Sequence, residues 1–473
     1  MNETKHVHIV TFIKDKIKKG EWTIGSRLPS QRQLALLFEV NRSTIVTALE
    51  ELTAEGLIQG KTGVATVVIN NTWTLLEGNV PSTWNKNIKL GGHQASSVLV
   101  QEINEAESDP RLIQLSKGEL APDLFPLQQM KEVLHRVSDQ LTSFGYEEPK
   151  GNRQLREAVS VHLKKRGINA SPSSILIVSG ALQALHLISV GLLQQGSTVY
   201  VEKPSYVYSL AVFQSAGVQL KGLPIDREGL SLEALQKVPF RPGHSVLYTN
   251  PTYHNPTSSL MSLSRRKTLR AVCEEKQLPM IEDDVYRDLW LDEPPPPALK
   301  ARDTTGSMLY LGSFSKSLSA GLRIGWVVGP DAVIDRLADL KMQSDYGSSS
   351  LSQYAATEWL TSGLYEEHLT TIREALIYRR TLFVQALETY LAPYATWTVP
   401  TGGFFIWIQL HQAIDARSLF SQAKEAGLLL NPGSIYAEPS GSYIRLSYAY
   451  ASHSELQEGI RRLALIIKTA IEK

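Results

Sequence analysis

The sequence predicts a multidomain chain in which a small α+β unit precedes a much larger α/β unit. The length of 473 residues corresponds to roughly three folding units of about 150 residues. Helical periodicity dominates the first seventy residues, whereas apolar strand-like runs alternate with helical patterns after about residue 84. Hydrophobic residues make up 42% of the chain and charged residues 20%, which excludes a disordered polypeptide.

The composition also limits the compartment and the partners. Lys and Arg number 48 against 47 Asp and Glu, so a surface for nucleic acid must be sought locally. The single cysteine, Cys273, cannot form an internal disulfide, which fits a reducing cytoplasm. The sequence lacks both the long apolar run of a membrane helix and the apolar core of a secretory signal. We therefore expect a cytoplasmic protein without a membrane segment.

Residues 1–70 have the pattern of a winged helix-turn-helix. A helical pattern extends from about His8 to Lys19, and Ser30 followed by Gln33 predicts a capping-box start for a second helix. Asn41 is a candidate N-cap for a third helix with apolar residues at helical spacing. The segments LIQG and VATVVI then flank a short polar turn, which predicts a β-hairpin.

This unit carries the candidate DNA-binding residues. A helix-turn-helix places the start of its reading helix in the major groove, and here that start is polar. Three basic residues beside it and in the wing turn are suited to phosphates. The candidates are Arg27, Arg32, Asn41, Arg42, Ser43, Thr44 and Lys61. Surface arginines are common in small helical domains, so the ordered pattern carries more weight than the charge.

That ordered pattern resembles the GntR-type winged helix over about residues 7–69. It consists of LPSxR, a helix with a polar start, EGLI and a wing. The resemblance implies binding to double-stranded promoter DNA. The wing departs from the family, because KTGVATVV stands where GxGTFV is frequent and one wing glycine is missing.

Beyond the head, residues 71–83 have the Asn, Thr, Gly and Pro composition of a linker, and residues 84–473 form the large unit. Its strand-like runs predict a mainly parallel sheet covered by helices. The four prolines at 294–297 predict a rigid surface loop. The runs are SILIVSG, STVYVEKP, HSVLYTNP, LPMIEDD, SMLYLGSFSK and RIGWVVG.

Lys316 is the strongest chemical signal in the large unit. It stands in Ser313-Phe314-Ser315-Lys316 between two apolar strand-like runs, so its surroundings should be buried. A desolvated lysine has a lowered pKa and attacks aldehydes as a neutral amine. Ser313 and Arg323 on either side can hold a phosphate dianion. An aldehyde captured beside a phosphate site is what pyridoxal phosphate requires.

The other groups that this cofactor needs are also present. The helix start at Gly180, Ala181 and Leu182 offers backbone N–H groups to the phosphate. A carboxylate at the pyridine nitrogen makes the ring an electron sink, and hydrogen-bond donors suit its phenolate oxygen. Asp283 is the candidate carboxylate, Asn255 and Tyr286 are the candidate donors, Tyr206 can stack on the ring and Arg445 can bind a substrate carboxylate. Each has an ordinary alternative: Asp283 can cap a helix, Tyr206 can belong to the core and Arg445 can pair with an acidic residue.

The order of these motifs resembles the fold-type I, class I/II aminotransferases over about residues 84–473. The resemblance implies a PLP-dependent transferase fold, with a large subdomain at about 125–340 and a small subdomain from the flanking segments. It implies an internal aldimine at Lys316, and it places Gly118 in the segment over the substrate. Tyr146 corresponds to the family's tyrosine that reaches the phosphate of the neighbouring subunit, which implies a homodimer.

Three positions depart from that family. Ser258 gives NPTS where NPTG is usual, and Ala320 replaces a common proline before GLR. The segment SGALQAL lacks the hydroxyl residue that some of these enzymes place after the glycine. None of these departures removes the chemistry of Lys316.

The two halves together resemble the MocR/GabR-type transcriptional regulators. The leading hypothesis is a regulator that senses an amino acid or related amine, which displaces Lys316 from pyridoxal phosphate as an external aldimine. One alternative is an active class I/II aminotransferase whose head regulates its own gene. Another is a regulator whose effector is pyridoxal phosphate itself. Arg445 suits the carboxylate of a D-, L- or ω-amino acid almost equally. No metal site is predicted.

Overall fold

The computed structural model describes residues 5–18, 22, 27–55, 57–60, 66–69, 96–141, 145–437 and 442–472. The chain divides into two compact units, residues 1–108 and 109–473. In the described part of the chain, no helix is long and apolar enough to cross a membrane. The linker predicted at 71–83 and the wing residue Lys61 lie outside the described residues, so both stay predictions.

The head has the predicted order of helices followed by a hairpin. The apolar face predicted for its first helix is buried, including Ile9 and Ile13. The strands pair antiparallel with Ile58 opposite Val68, and Leu28 N–H donates to the Thr66 carbonyl at 2.9 Å beside them. The elements of this unit are α1 (Lys5–Lys18), α2 (Gln31–Leu37), α3 (Arg42–Ala54), β1 (Ile58–Gly60), β2 (Thr66–Val68) and α4 (Val98–Ala106).

Of the two helix starts predicted in the head, one has the predicted capping hydrogen bonds and the other lacks them. Ser30 and Gln33 form the predicted capping box, with Gln33 N–H 3.3 Å from Ser30 Oγ and Ser30 N–H 2.9 Å from Gln33 Oε1. Asn41 occupies the N-cap position of α3, but its side chain makes no capping hydrogen bond. Its amide therefore remains on the exposed surface at the start of the reading helix.

The large unit is built from alternating helices and strands, as its sequence pattern predicts. Its helices are α5 (Leu127–Gln140), α6 (Arg153–Lys165), α7 (Ala181–Gly191), α8 (Leu232–Gln236), α9 (Leu263–Glu275), α10 (Asp331–Asp345), α11 (Ser350–Thr361), α12 (Leu364–Ala386), α13 (Ala416–Glu425) and α14 (His453–Ile471). Its strands are β3 (Ile113–Gln114), β4 (Ile175–Val178), β5 (Thr198–Lys203), β6 (Gln219–Asp226), β7 (Gly229–Leu230), β8 (Ser245–Thr249), β9 (Met280–Asp283), β10 (Met308–Ser313), β11 (Gly325–Val328), β12 (Ala395–Trp397), β13 (Phe405–Leu410), β14 (Leu428–Leu429), β15 (Asn431–Pro432) and β16 (Tyr443–Ser447).

A mixed sheet forms the centre of this unit. Its order among the described residues is β4-β11-β10-β9-β8-β5-β6-β7. The inner pairs β10–β9, β9–β8, β8–β5 and β5–β6 are parallel, whereas β11 runs antiparallel to both of its neighbours. The sheet is therefore mainly parallel, as predicted, and all six strand-like runs of the sequence lie in it.

A second, antiparallel sheet follows late in the chain, in the order β12-β13-β16-β15. The helix α13 packs against β15 of this sheet and against α14, and β14 pairs in parallel with β3 from the start of the unit. We call this group, residues 395–471 with β3, the small subdomain. The long helix α12 packs against α14 and precedes residues 395–471 in the chain.

The sheet topology determines where functional side chains meet. The strands β4, β9 and β10 run in the same direction, so Val178, Asp283 and Ser313 end at one edge of the sheet. Ligands of open α/β sheets bind outside the carboxyl ends of such strands. The residues that follow these three strands are those singled out by the sequence.

Candidate cofactor and effector site

Lys316 lies in a tight turn just after β10. The turn is stabilised by Ser313, whose Oγ accepts from Ser315 N–H at 3.1 Å and donates to the Ile324 carbonyl at 3.0 Å. The Lys316 Nζ donates to the Gly118 carbonyl at 2.7 Å. The segment predicted to cover the substrate thus contacts the predicted nucleophile. The hydroxyl of Ser313 holds the lysine turn, and its role at a phosphate stays a prediction.

Asp283 ends β9 as a buried carboxylate, with 7% of its surface exposed. Its Oδ2 accepts from the Tyr248 hydroxyl at 2.7 Å, and its Oδ1 is 3.4 Å from Val285 N–H. Among the described residues it forms no ion pair. Burial raises its pKa from 3.8 to about 6, although the Tyr248 hydrogen bond acts in the opposite direction.

The start of α7 and Arg323 form a cradle of donors. Gly180 has φ +87° and precedes α7, so the N–H groups of Ala181 and Leu182 lie in its first turn. The Arg323 NH2 donates to the Ser179 carbonyl at 2.7 Å. A Cβ on Gly180 would lie 2.7 Å from that NH2 group, which only glycine avoids. The cradle therefore combines a helix N-terminus with a guanidinium, a combination suited to phosphate.

Asn255 and Arg445 are joined by a hydrogen bond, although 190 residues separate them. The Arg445 NH1 donates to Asn255 Oδ1 at 2.9 Å. The carboxamide of Asn255 therefore directs its Nδ2 group away from Arg445, where it can donate to a phenolate oxygen. A residue predicted at the cofactor and one predicted at the effector are thus in direct contact.

The surroundings of Arg445 lack the acidic partner that one of its alternatives requires, within the described part of the chain. Its side chain is 4% exposed and lies 3.9 Å from the centre of the Phe405 ring. Its NH2 donates to the Ser116 carbonyl at 2.6 Å, and the described residues provide no carboxylate partner. Its Nε is buried without a hydrogen-bond partner among the described residues. Arg445 is therefore a buried cation with donor capacity that a carboxylate would satisfy.

The three tyrosines predicted at the cofactor have different environments. Tyr286 is buried beside Phe404 and Phe405, and burial raises its pKa far above its usual range. Tyr206 is 38% exposed, and its backbone N–H donates to the Asn255 carbonyl at 3.1 Å, so it lies beside the site. Tyr146 is 82% exposed, and its ring contacts that of Tyr346 at 5.2 Å between centres.

Several residues at the site were missed by the sequence reasoning. Asn250 donates through Nδ2 to the Asp283 carbonyl at 2.6 Å and accepts from Asn255 N–H at 2.8 Å. It thus holds in register Asp283 and Asn255, which are predicted to bind the pyridine and the phenolate. The repeated Asn-Pro in TNPTYHNPT was the available signal for it. The other residues missed are Tyr248 at Asp283, with Ser116, Asn431 and Tyr436 around Arg445.

The departure at Ser258 has a structural basis. The residue adopts φ +56°, the left-handed region that favours the glycine usual at this position. Its Oγ donates to the Phe405 carbonyl at 2.7 Å, so the hydroxyl ties this loop to β13. The hydrogen bond offsets a conformational cost that glycine would not have.

The site fits pyridoxal phosphate on the chemistry of its donor set. The buried carboxylate of Asp283 suits a protonated pyridine. In the cradle, the backbone at Gly180 has no room for a Cβ, which keeps side-chain atoms out of the space proposed for a phosphate. Among the described residues, the hydroxyl of Tyr286 has no hydrogen-bond partner, so it can donate to a phenolate. The head presents the other candidate interface. Its predicted DNA-binding residues at the start of α3 are Asn41, Arg42 and Ser43, which are exposed, and Thr44, which is half-buried. Arg27 and Arg32, nearer the start of α2, are also exposed.

Comparison with known families agrees with both halves. The model of the class I and II aminotransferases matches residues 110–463. The model of the bacterial regulatory proteins of the gntR family matches residues 5–68. The chain therefore combines a gntR-family head with a class I and II aminotransferase body.

Curated relatives share this arrangement over their full length. The chain is 58% identical to the uncharacterized HTH-type transcriptional regulator YdfD of Bacillus subtilis (strain 168), over 98% of this chain and 96% of that protein. It is 34% identical to the HTH-type transcriptional regulator NorG of Staphylococcus aureus (strain N315), over 93% of this chain and 99% of that protein.

Solved structures similar to the chain are aminotransferases. The α-aminoadipate aminotransferase LysN from Thermus thermophilus, complexed with N-(5'-phosphopyridoxyl)-L-leucine, is 30% identical with a TM-score of 0.74, over 85% of this chain and 99% of that one. Kynurenine aminotransferase from Pyrococcus horikoshii is 31% identical with a TM-score of 0.75, over 83% of this chain and 98% of that one.

The fold and the site thus define a transcriptional regulator with an aminotransferase-like body that binds pyridoxal phosphate. The chain belongs to the MocR/GabR-type regulators, in which a GntR-type winged helix precedes a class I/II aminotransferase-like domain.

Substitutions at Ser258 separate its hydrogen bond from its backbone conformation. Ser258→Ala removes the bond and keeps the left-handed cost, so we expect a loss of about 1 to 2 kcal/mol in the free energy of unfolding. Ser258→Gly loses the bond but relieves the backbone, so its stability should stay within about 0.5 kcal/mol of the parent. Urea unfolding of the full chain measures both, and equal losses would contradict this account of the backbone.

Asp283→Asn should stabilise the cofactor-free protein at neutral pH. The pKa of Asp283 is raised in the folded protein, so its ionisation opposes folding as pH increases from about 4 to about 6. Removing the carboxyl should therefore increase the free energy of unfolding by about 2 to 3 kcal/mol at pH 7.5, with little change near pH 4.

The exposed Asp339 provides the control, because Asp339→Asn leaves the site intact. Chemical unfolding across this pH range measures the effect. A gain that is the same at pH 4 and pH 7.5 would show that the Asp283 charge is not its origin. After loading with pyridoxal phosphate, the parent should have a larger free energy of unfolding than Asp283→Asn, because the parent retains the carboxylate for the pyridine.

Proposed function

We propose that this regulator holds pyridoxal phosphate covalently through Lys316 and senses an amino compound that displaces the lysine. The observation that carries the proposal is that Asp283 and the turn of Lys316 lie at the ends of adjacent parallel strands, while Arg445 bonds to Asn255 in the loop after β8. Arg445 provides the specificity, because its unsatisfied Nε and its hydrogen bond to Asn255 suit a carboxylate bound next to the cofactor.

When bound, pyridoxal phosphate supplies an aldehyde that reacts with amines and a ring that withdraws electrons. The chain supplies the rest of the proposed chemistry. Lys316 provides the amine, and its Nζ has the Gly118 carbonyl as an acceptor when it is not bonded to the cofactor. Asp283 holds the proton on the pyridine nitrogen, while Asn255 and Tyr286 orient the ring through its phenolate oxygen. Gly180, Ala181, Leu182, Ser313 and Arg323 are the proposed phosphate ligands.

A homodimer is part of the proposal. Tyr146 is almost fully exposed and pairs with the exposed Tyr346, which is unusual for two large aromatic side chains on a free surface. In a dimer, Tyr146 would reach the phosphate of the partner subunit. Two heads at a fixed separation would then bind two half-sites about 10 bp apart, or a multiple of that.

The effector acts on DNA binding only through unequal affinity for two conformations of the dimer. A carboxylate on Arg445 competes with the Ser116 carbonyl for the guanidinium, so it favours one arrangement of the segment over the site. An active aminotransferase is the second candidate, because Lys316 and Asp283 are both placed for amine chemistry. If pyridoxal phosphate itself is the effector, occupancy of the site alone would change DNA affinity.

The test is the visible spectrum of the loaded protein during titration with D-, L- and ω-amino acids. A ligand that displaces Lys316 should shift the absorbance and hold it shifted, with no 2-oxoacid formed. Lys316→Ala should lack the absorbance of the lysine-bound cofactor while it remains folded and binds non-specific DNA. Lys316→Ala protein with that absorbance intact would refute the assignment, and turnover with an added 2-oxoacid would favour the aminotransferase.

Arg42→Ala tests the DNA interface. Arg42 begins α3, where its Nε donates to Gln31 Oε1 at 3.0 Å and the side chain remains exposed. If it contacts a phosphate, its loss should reduce the slope of log affinity against log salt by about 0.9. Affinity is measured on duplexes that the parent protein selects from a random pool. Arg461→Ala, on the exposed surface of α14, is the control, and an unchanged slope for Arg42→Ala would exclude the phosphate contact.

A further inference from the structure

Ser317, the residue after Lys316, is attached to the long helix α12. Its Oγ lies 2.6 Å from the Tyr365 hydroxyl, and both side chains are almost fully buried. Tyr365 stands in the first turn of α12. The lysine turn is therefore held to this helix by a buried contact between two hydroxyl groups.

The hydrogen bonds through Tyr365 have a defined direction. The Tyr365 hydroxyl also donates to Asp288 Oδ2 at 2.9 Å. Burial alone would raise the pKa of Asp288, but the charge of Arg166 at 2.7 Å, His162 and the hydrogen bonds from Arg166 and Tyr365 together lower that pKa. The carboxylate can therefore only accept. Because the phenol has one proton, Ser317 donates to Tyr365 and Tyr365 donates to Asp288.

Asp288 connects this chain of hydrogen bonds to the cofactor site. It stands five residues after Asp283, in the same segment as Tyr286. Its backbone carbonyl accepts from Arg373 Nε at 2.9 Å, and Arg373 is also on α12. One end of α12 is thus bonded both to the lysine turn and to the segment that carries the pyridine-binding carboxylate.

The second half of α12 is bonded to the small subdomain. Arg379 is buried, and it donates to the Ala451 carbonyl and, at 2.9 Å, to Asp123 Oδ2. An α-helix rises about 1.5 Å per residue, so Tyr365 and Arg379 are about 21 Å apart along its axis. Asp123 follows the segment of Gly118, whose carbonyl accepts from Lys316 Nζ. Lys316 is therefore linked to α12 along two routes, one at Tyr365 in its first turn and one at Arg379 about two turns before its end.

We infer that Tyr365 is a positioning residue. Through Tyr365, the formation or loss of the bond between Lys316 and the cofactor changes the position of α12 and, with α12, that of the small subdomain. The inference rests on the proposed function. If the effector's amine replaced the lysine, one C=N bond to the cofactor would form as the C=N bond to Lys316 breaks, and Lys316 would leave as an amine with the number of protons unchanged. The released Lys316 amine then donates to Gly118, and the turn that carries Ser317 shifts with it. Because Ser317 is held by Tyr365, α12 and the small subdomain shift too.

The experiment uses the full-length protein loaded with pyridoxal phosphate and the probe aminooxyacetate. This probe has a carboxylate for Arg445 and an aminooxy group that displaces a lysine from the cofactor whatever the natural effector is. Absorbance reports the displacement, and amide hydrogen exchange over residues 117–125 and 453–471 reports the small subdomain. The variant is Tyr365→Phe, which removes only the hydroxyl. The matched control is Tyr448→Phe, because Tyr448 is equally buried and donates to the Gly403 carbonyl at 2.7 Å.

The parent and Tyr448→Phe should show the same absorbance change and the same probe-induced change in exchange. Tyr365→Phe should show the full absorbance change, with the change in exchange reduced roughly fivefold or more. Ser317→Ala should behave in the same way, and it replaces Tyr365→Phe if that variant does not fold.

The contrary outcomes separate this inference from the function on which it rests. If Tyr365→Phe and Ser317→Ala retain the exchange response of Tyr448→Phe, the relay through Tyr365 is excluded. It is also excluded if the parent shows the absorbance change without any exchange response. If the parent shows no absorbance change with aminooxyacetate, the displacement of Lys316 fails, and the proposed function fails with it.

Discussion

The hydrogen bond from Arg445 to Asn255 is the interaction on which the organisation of the site depends. It joins β16 of the small subdomain to the loop after β8 in the large sheet, and it orients both partners at once. Because its oxygen accepts from Arg445, Asn255 has only its amide donors for the proposed contact to the cofactor. Because one amino group donates to Asn255, Arg445 has its remaining donors for the proposed effector. If both contacts form, a group bound at either position would change the preferred position of the other.

The sheet edge gives this network its rigidity. The parallel strands β9 and β10 fix Asp283 and the lysine turn relative to each other, and Asn250 locks the Asp283 backbone to that of Asn255. Glu202 extends the support, since its buried carboxyl accepts from Asn250 N–H at 2.9 Å and from Thr249 Oγ1 at 2.7 Å. The groups that contact small molecules are thus held by residues that need not touch them. Such support limits the movement of reactive groups to small distances.

The sequence predicted those features that depend on local order. Asp283 ends an apolar strand, Lys316 and the start of α7 each follow one, and the parallel direction of these strands brings them to one edge. The capping box at Ser30 was also readable, because its partners are three residues apart. Contacts between distant segments were not. Nothing in the local sequence shows that Ser116 and Asn431 would meet at Arg445, or that the Asn41 side chain would leave its helix uncapped. The backbone at Ser258 was a further case: its departure from glycine was visible, but the hydrogen bond that compensates for it required the position of β13.

The buried charge of Asp283 has a consequence for the amount of regulator in a cell. Asp283 forms no ion pair among the described residues, and a carboxylate buried in this way lowers the stability of newly made chains until the cofactor binds. Small differences in folding stability change the fraction of chains that proteases remove. Scarcity of vitamin B6 would therefore shorten the lifetime of this protein as well as empty its site. Gene expression would then respond to the abundance of the regulator, in addition to the ligand that it carries.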